Sequence, residues 1–162
     1  MTLFETSIYM MQTRPHVGIL ISLGNALLHL GIIKEPWDQD GHEFQKMVEF
    51  VGDISDEARD GKLADLTENW PSLVVYRWTA LEVSKEWAVR QLDKGGIISI
   101  PLWDERNGLI SVLITGHNDG QFFKMVNRHP MSDLSVVSVD AWESMGFRRW
   151  NIPVTVYSKR AS

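Results

Sequence analysis

Residues 17–30 read VGILISLGNALLHL, and their apolar side chains surround the helical wheel instead of forming one stripe. That is the pattern of a helix buried on nearly all sides. One row departs from it: Gly18, Ser22, Asn25 or Ala26, and His29 recur at helical spacing and are small or polar. Small residues are needed wherever two elements approach closely, so the row marks either tight packing against a sheet or the lip of a site. The stretch is shorter than the ~20 apolar residues of a membrane span, and Asn25 and His29 interrupt it. Acidic Glu5 precedes it, no basic run opens the chain and no small-x-small cleavage site follows. It therefore reads as structure and not as an export signal, and a cytoplasmic chain is expected.

Working outward, Gln12-Thr13-Arg14-Pro15-His16 is an irregular lead-in, because the residue before a proline is pushed away from helical geometry. Residues 1–11 mix apolar and hydroxyl side chains and suit an edge strand. On the other side Gly31 stops the helix, and residues 35–41, EPWDQDG, form a polar loop. Asp38, Asp40 and Gly41 resemble the start of a calcium loop, but Met47 stands where the closing glutamate is required, so a solvated turn is the better reading.

Phe44, Met47, Val48 and Val51 then recur as a helical stripe over residues 42–51, and a weaker, charged helix is expected over 56–66. Residues 73–78 read as a short strand. Thr79-Ala80-Leu81-Glu82 has the form of a capping box, which predicts a helix start there, with Leu81, Ala88, Val89 and Leu92 facing inward and Lys94-Gly95-Gly96 as its stop. From Gly96 the period changes to that of strands: 97–103, then 109–115 (LISVLIT, apolar on both faces and so central), a hairpin turn at 116–120, and 121–127. Arg128-His129-Pro130 breaks that run. Asp140-x-x-Glu143 opens a short helix carrying Trp142 and Met145, and residues 152–157 form a last strand. The expectation is a single α+β domain over 1–162, with a buried N-terminal central helix and further helices packed on a C-terminal antiparallel sheet.

The 162 residues are 44% hydrophobic and 23% charged, as in ordinary soluble domains. A net charge of -5 argues against a nucleic-acid surface, since phosphate binding needs a basic face. The chain has no cysteine, which excludes disulfides, thiolate zinc sites and a cysteine nucleophile.

This layout resembles the papain-like cysteine peptidases, specifically the small bacterial branch that processes double-glycine leader peptides. Gln12 precedes a buried helix ending in LLHLG. VRQLDKGGIISIPL, LISVLITGHNDG and FKMVNRHP follow in the family's order, and VDAWESM and IPVTVYS stand where it closes its sheet. The resemblance implies a papain-like fold, with Gln12 as the oxyanion-hole glutamine. It also exposes what is missing. The family's cysteine position falls at about Gly18, its histidine position at Leu109, Ile110 or Ser111, with Ile110 as the choice, and its aspartate, before proline, at His129. Without nucleophile, base and orienting acid, the thiol-peptidase mechanism has none of its chemistry. The implied function is an inactive peptidase-like domain that binds a peptide or protein partner, with Gln12, Trp103 and His129 as binding residues and no cofactor.

Two other readings compete. A hydrolase or acyltransferase would use Ser22 with His117 or His129 as base and Asp119 or Asp133 to orient it. Against this, no G-x-S-x-G elbow occurs, and a mid-helix serine usually bonds the preceding turn. A structural or oligomer-forming subunit is the third, with the oligomeric state left open. His29 reads as a core histidine and His42 as a helix-start residue. His16, His117 and His129 would form a metal site only if the fold gathered them, and no metal is expected. Of the seven tryptophans, Trp37, Trp70 and Trp103 fall in or beside loops, where they either line a groove or cap the core.

Overall fold

The structure, a computed structural model, describes residues 9–14, 17–51, 59–79, 82–104, 108–127, 133–145 and 153–161. Its elements run α1 (Gly18–His29), α2 (His42–Val51), α3 (Arg59–Thr67), β1 (Leu73–Trp78), α4 (Lys85–Asp93), β2 (Ile97–Asp104), β3 (Gly108–Asn118), β4 (Gln121–Asn127), β5 (Asp133–Ser138), a 3-10 helix at Val139–Met145, and β6 (Val154–Lys159). The strands form one sheet in the order β1-β6-β2-β3-β4-β5, and every neighbouring pair is antiparallel. The chain is thus α+β, with a six-stranded antiparallel sheet among the described residues.

Alternation along the strands divides the apolar side chains between two cores. On one face Leu73, Ile97, Leu113, Met125 and Tyr157 pack with α1, with Phe44 and Val51 of α2 and with Leu66 of α3. On the other, Ile98, Ile100, Ile110, Val112, Ile114, Phe122, Val154 and Val156 pack with Trp87 and Ala88 of α4 and Trp142 of the 3-10 helix. The central strands are covered on both faces, which is why LISVLIT is apolar throughout. Every residue of α1 from Gly18 to Leu27 is buried, as its all-round hydrophobicity requires.

Several boundaries depart from the sequence reading. The helix expected at the Thr79–Glu82 box begins at Lys85 instead, because the Ser84 side chain accepts the Trp87 backbone N–H and caps it; Glu82 N–H bonds Thr79 O in a separate turn. Strand β5 was not anticipated, since Asp133–Ser138 is short and polar at alternate positions, yet it pairs along β4 from Gln121 to Val126. The final strand lies two residues later than 152–157 suggests. The β3–β4 hairpin closes on Asp119 and Gly120 alone, with φ of 52° and 74° and Asn118 paired to Gln121, the two-residue turn that needs left-handed backbone at both positions. The proposed edge strand over 1–11 and the start of the helix at 56–58 fall largely outside the described residues.

Candidate functional site at the head of the buried helix

Gly18 is the first residue of α1, and the preceding Val17 supplies no side-chain cap. A Cβ added to Gly18 would lie 2.8 Å from the backbone oxygen of Asn127 and 3.1 Å from Gln12 Oε1. Glycine here is a requirement of close approach, because backbone cannot yield as a flexible side chain can. It also puts Gln12 against the head of the helix.

Gln12 is held there by the rest of the small-residue row. Asn25, two turns into α1, accepts the Met10 N–H on Oδ1 at 2.6 Å and donates from Nδ2 to Met10 O at 3.0 Å, so the segment before the helix is bonded in both directions. Gln12 is buried and donates from Nε2 to Arg14 O at 2.8 Å. Gly24 admits Met10 and Trp37 close to the helix backbone. At the far end His29 Nδ1 meets the Tyr9 hydroxyl at 2.8 Å with the two rings stacked, and burial pushes the imidazole below its ordinary pKa. The row is thus a packing face against residues 9–12.

Between Gly18 and Asn25 the row meets the sheet. Ser22 Oγ and Ser111 Oγ are 2.6 Å apart, and Asn127 Nδ2 donates to Ser22 Oγ at 2.7 Å. Ser111 and Asn127 are direct partners across β3 and β4, and all three residues have no exposed surface. Asn127 Oδ1 is buried with no hydrogen-bond partner, so the cluster keeps one unmet acceptor. The cluster is neutral. Neither hydroxyl nor carboxamide is a base at neutral pH, so nothing in it would take a proton from Ser22.

Other sequence-proposed residues lie elsewhere. Ile110 belongs to the α4-side core, and it is its neighbour Ser111 that faces α1. His117 Nε2 sits 2.7 Å from Asp93 Oδ1 of α4, and its strand partner Phe122 also packs in the α4-side core, so His117 and Ser22 are on opposite faces of the sheet. Asp119 occupies the hairpin turn, and Asp133 pairs through its backbone with Val126. His129 and His16 lie outside the described residues, as does the side chain of Trp103, whose backbone pairs with Leu109. Among the described residues no three His, Asp or Glu side chains are placed to hold a metal ion. At the loop Asp38-Gln39-Asp40-Gly41, Asp38 instead accepts Asp40 N–H at 3.0 Å and Gly41 N–H at 2.9 Å, closing the turn on itself. Trp37 and Trp70 pack on one another at 5.8 Å between ring centroids and close the edge of the α1-side core.

The two residues that sequence reasoning missed are Ser111, as the inward residue of β3, and Asn127. A signal for both existed: Ser111 and Thr115 are polar in an otherwise apolar strand, and Asn127 ends the run QFFKMVN on a buried position.

No protein-family model, curated protein or solved structure matches the chain. Among the described residues no helix is long and apolar enough to cross a membrane.

Proposed function

We propose that the chain is an inactive domain of papain-like layout, akin to the leader peptidases, that binds a peptide or protein partner. The observation that carries this reading is the approach of Gln12 to Gly18. A glutamine with its Oε1 3.1 Å from the missing Cβ of the first residue of a buried helix stands where an oxyanion-hole glutamine would stand beside a nucleophile, with its Nε2 donor turned to Arg14 O instead of to that position. The base position expected at Ile110 faces the α4-side core and the acid position expected at His129 lies outside the described residues, while beside α1 the sheet presents Ser111 and Asn127, neither of which is a base at neutral pH. The carbonyl of Asn127, 2.8 Å from that Cβ, leaves no room for a nucleophile there. What remains of an active site is its frame.

The test is titration of the full chain with a synthetic peptide containing a double-glycine motif, followed by amide NMR and by mass spectrometry of the peptide. The reading expects saturable shifts at Gln12, Gly18 and Asn127 with the peptide recovered intact. Cleavage that disappears in Ser22→Ala would replace it with the serine-hydrolase reading. A mass that rises with concentration and no peptide-induced shift would replace it with the oligomer-forming subunit.

A further inference from the structure

Arg14 stands just beyond the Gln12 segment, and its guanidinium is incompletely used. Nη1 donates to Gln45 Oε1 at 2.9 Å, and Cζ lies 5.0 Å from the centroid of the Phe44 ring. Nε and Nη2 are buried and have no hydrogen-bond partner. No carboxylate among the described residues pairs with it: Glu43 is 3.9 Å from Lys46, and Glu49 accepts from Gln45 at 3.3 Å.

Three physical facts bear on that edge of the guanidinium. Buried donors are nearly always satisfied, so two covered N–H groups without a partner on a half-buried guanidinium call for an acceptor. The Nε and Nη2 hydrogens form the side-on fork that matches the two oxygens of a carboxylate. Phe44 and Gln45 belong to the first turn of α2, the end of a helix where a cation is disfavoured and an anion favoured. Arg14 is not there by looseness of the chain. Thr13 donates from both N and Oγ1 to Gln39 Oε1 at 3.1 and 2.9 Å, and Gln39 Nε2 donates to Met11 O at 2.7 Å, so residues 11–14 are stitched to the loop before α2.

We propose that Arg14 anchors a carboxylate-binding site, in which Nε and Nη2 take a carboxylate of a peptide ligand side-on at the N-terminal turn of α2. The carboxylate belongs either to the ligand's chain terminus or to an acidic side chain. Both nitrogens are covered in the unliganded chain, so association includes a local opening step. The carboxylate site rests on Arg14 and its neighbours; that the ligand is a peptide rests on the binding role proposed above.

The experiment follows the Arg14 Nε–H resonance of the isotopically labelled full chain, identified by its loss in Arg14→Lys. The probes are N-acetyl-trialanine, its C-terminal amide, N-acetyl-Ala-Glu-Ala-amide and inorganic phosphate. The proposal expects a saturable downfield shift with at least one carboxylate-bearing peptide and none with the neutral amide. Response to the first peptide assigns the chain terminus, and response to the glutamyl amide assigns an acidic side chain. Arg14→Lys keeps the charge but loses the fork, and by melting temperature it remains folded; in it the affinity, read from backbone amides, falls at least about tenfold. Absence of a saturable shift with either carboxylate peptide, a preference for phosphate, or equal affinity in Arg14→Lys would each overturn the proposal.

Discussion

Ser22 on α1 and Ser111 on β3, 89 residues apart in sequence, share a 2.6 Å hydrogen bond in the fully buried interior. Together with Asn127 they form a polar contact between the central helix and the centre of the sheet. Removing one member strands the others. Ser22→Ala should cost about 1–3 kcal/mol, because the Asn127 Nδ2 donor loses its partner without gaining water. Ser22→Ala with Ser111→Ala should cost less than the sum of the two single changes, measured from denaturant midpoints in a double-mutant cycle.

At Gly18 the usual sign of a substitution should invert. Glycine to alanine within a helix ordinarily stabilises by up to about 1 kcal/mol. Here the new Cβ meets the Asn127 carbonyl at 2.8 Å, and β4 or the helix must move to admit it. Gly18→Ala should therefore lower stability by roughly 1–3 kcal/mol. A thermal melt above that of the parent chain would contradict the close approach.

Asn25→Ala should release the segment that carries Gln12. It removes the two hydrogen bonds, 2.6 and 3.0 Å, by which α1 holds Met10 N–H and C=O. A loss of about 2–4 kcal/mol is expected from two stranded backbone groups. Hydrogen exchange at Met10 and Gln12 should accelerate more than at the sheet centre, which separates local release from general loss of stability.

Acid should act through His29. Its pKa is lowered in the fold by burial, while the unfolded chain titrates near the ordinary value of 6.5. Between the two values the unfolded chain binds more protons, so the contribution of neutral His29 is fully present above about pH 6.5 and declines as pH falls below it. His29→Gln should flatten that part of the profile of melting temperature against pH, and an unchanged slope below pH 6.5 would show that other groups govern it.

The all-round hydrophobicity of residues 17–30, the stripe at 42–51 and the apolar strand at 109–115 placed the main elements from sequence, because each carries a period that its burial imposes. What escaped was set by partners remote in the chain. Strand β5 has too little apolar pattern of its own and exists by pairing with β4. The start of α4 turned on whether Thr79 or Ser84 captured the first free amides, and both fit the local rule. Gln12 and Gly18 were identified individually, but the inward choice between Ile110 and Ser111 depends on strand register, which a one-residue slip reverses. Asn127 is legible as the polar end of QFFKMVN, but its pairing with Ser111 follows only from that register.

The order of the chain carries a cost during synthesis. The most apolar helix is made first, while the strand that covers it through the Ser22–Ser111 contact follows 89 residues later. At about 5–20 residues per second the ribosome takes roughly 5–20 s to supply it. Until then α1 lacks the strand it packs on most, and even after β3 emerges the sheet waits for β6, later in the chain, to join β1 to β2. A nascent chain of this kind is a natural client for factors that shield hydrophobic segments at the tunnel exit, and its yield on expression should depend on them more than its final stability suggests.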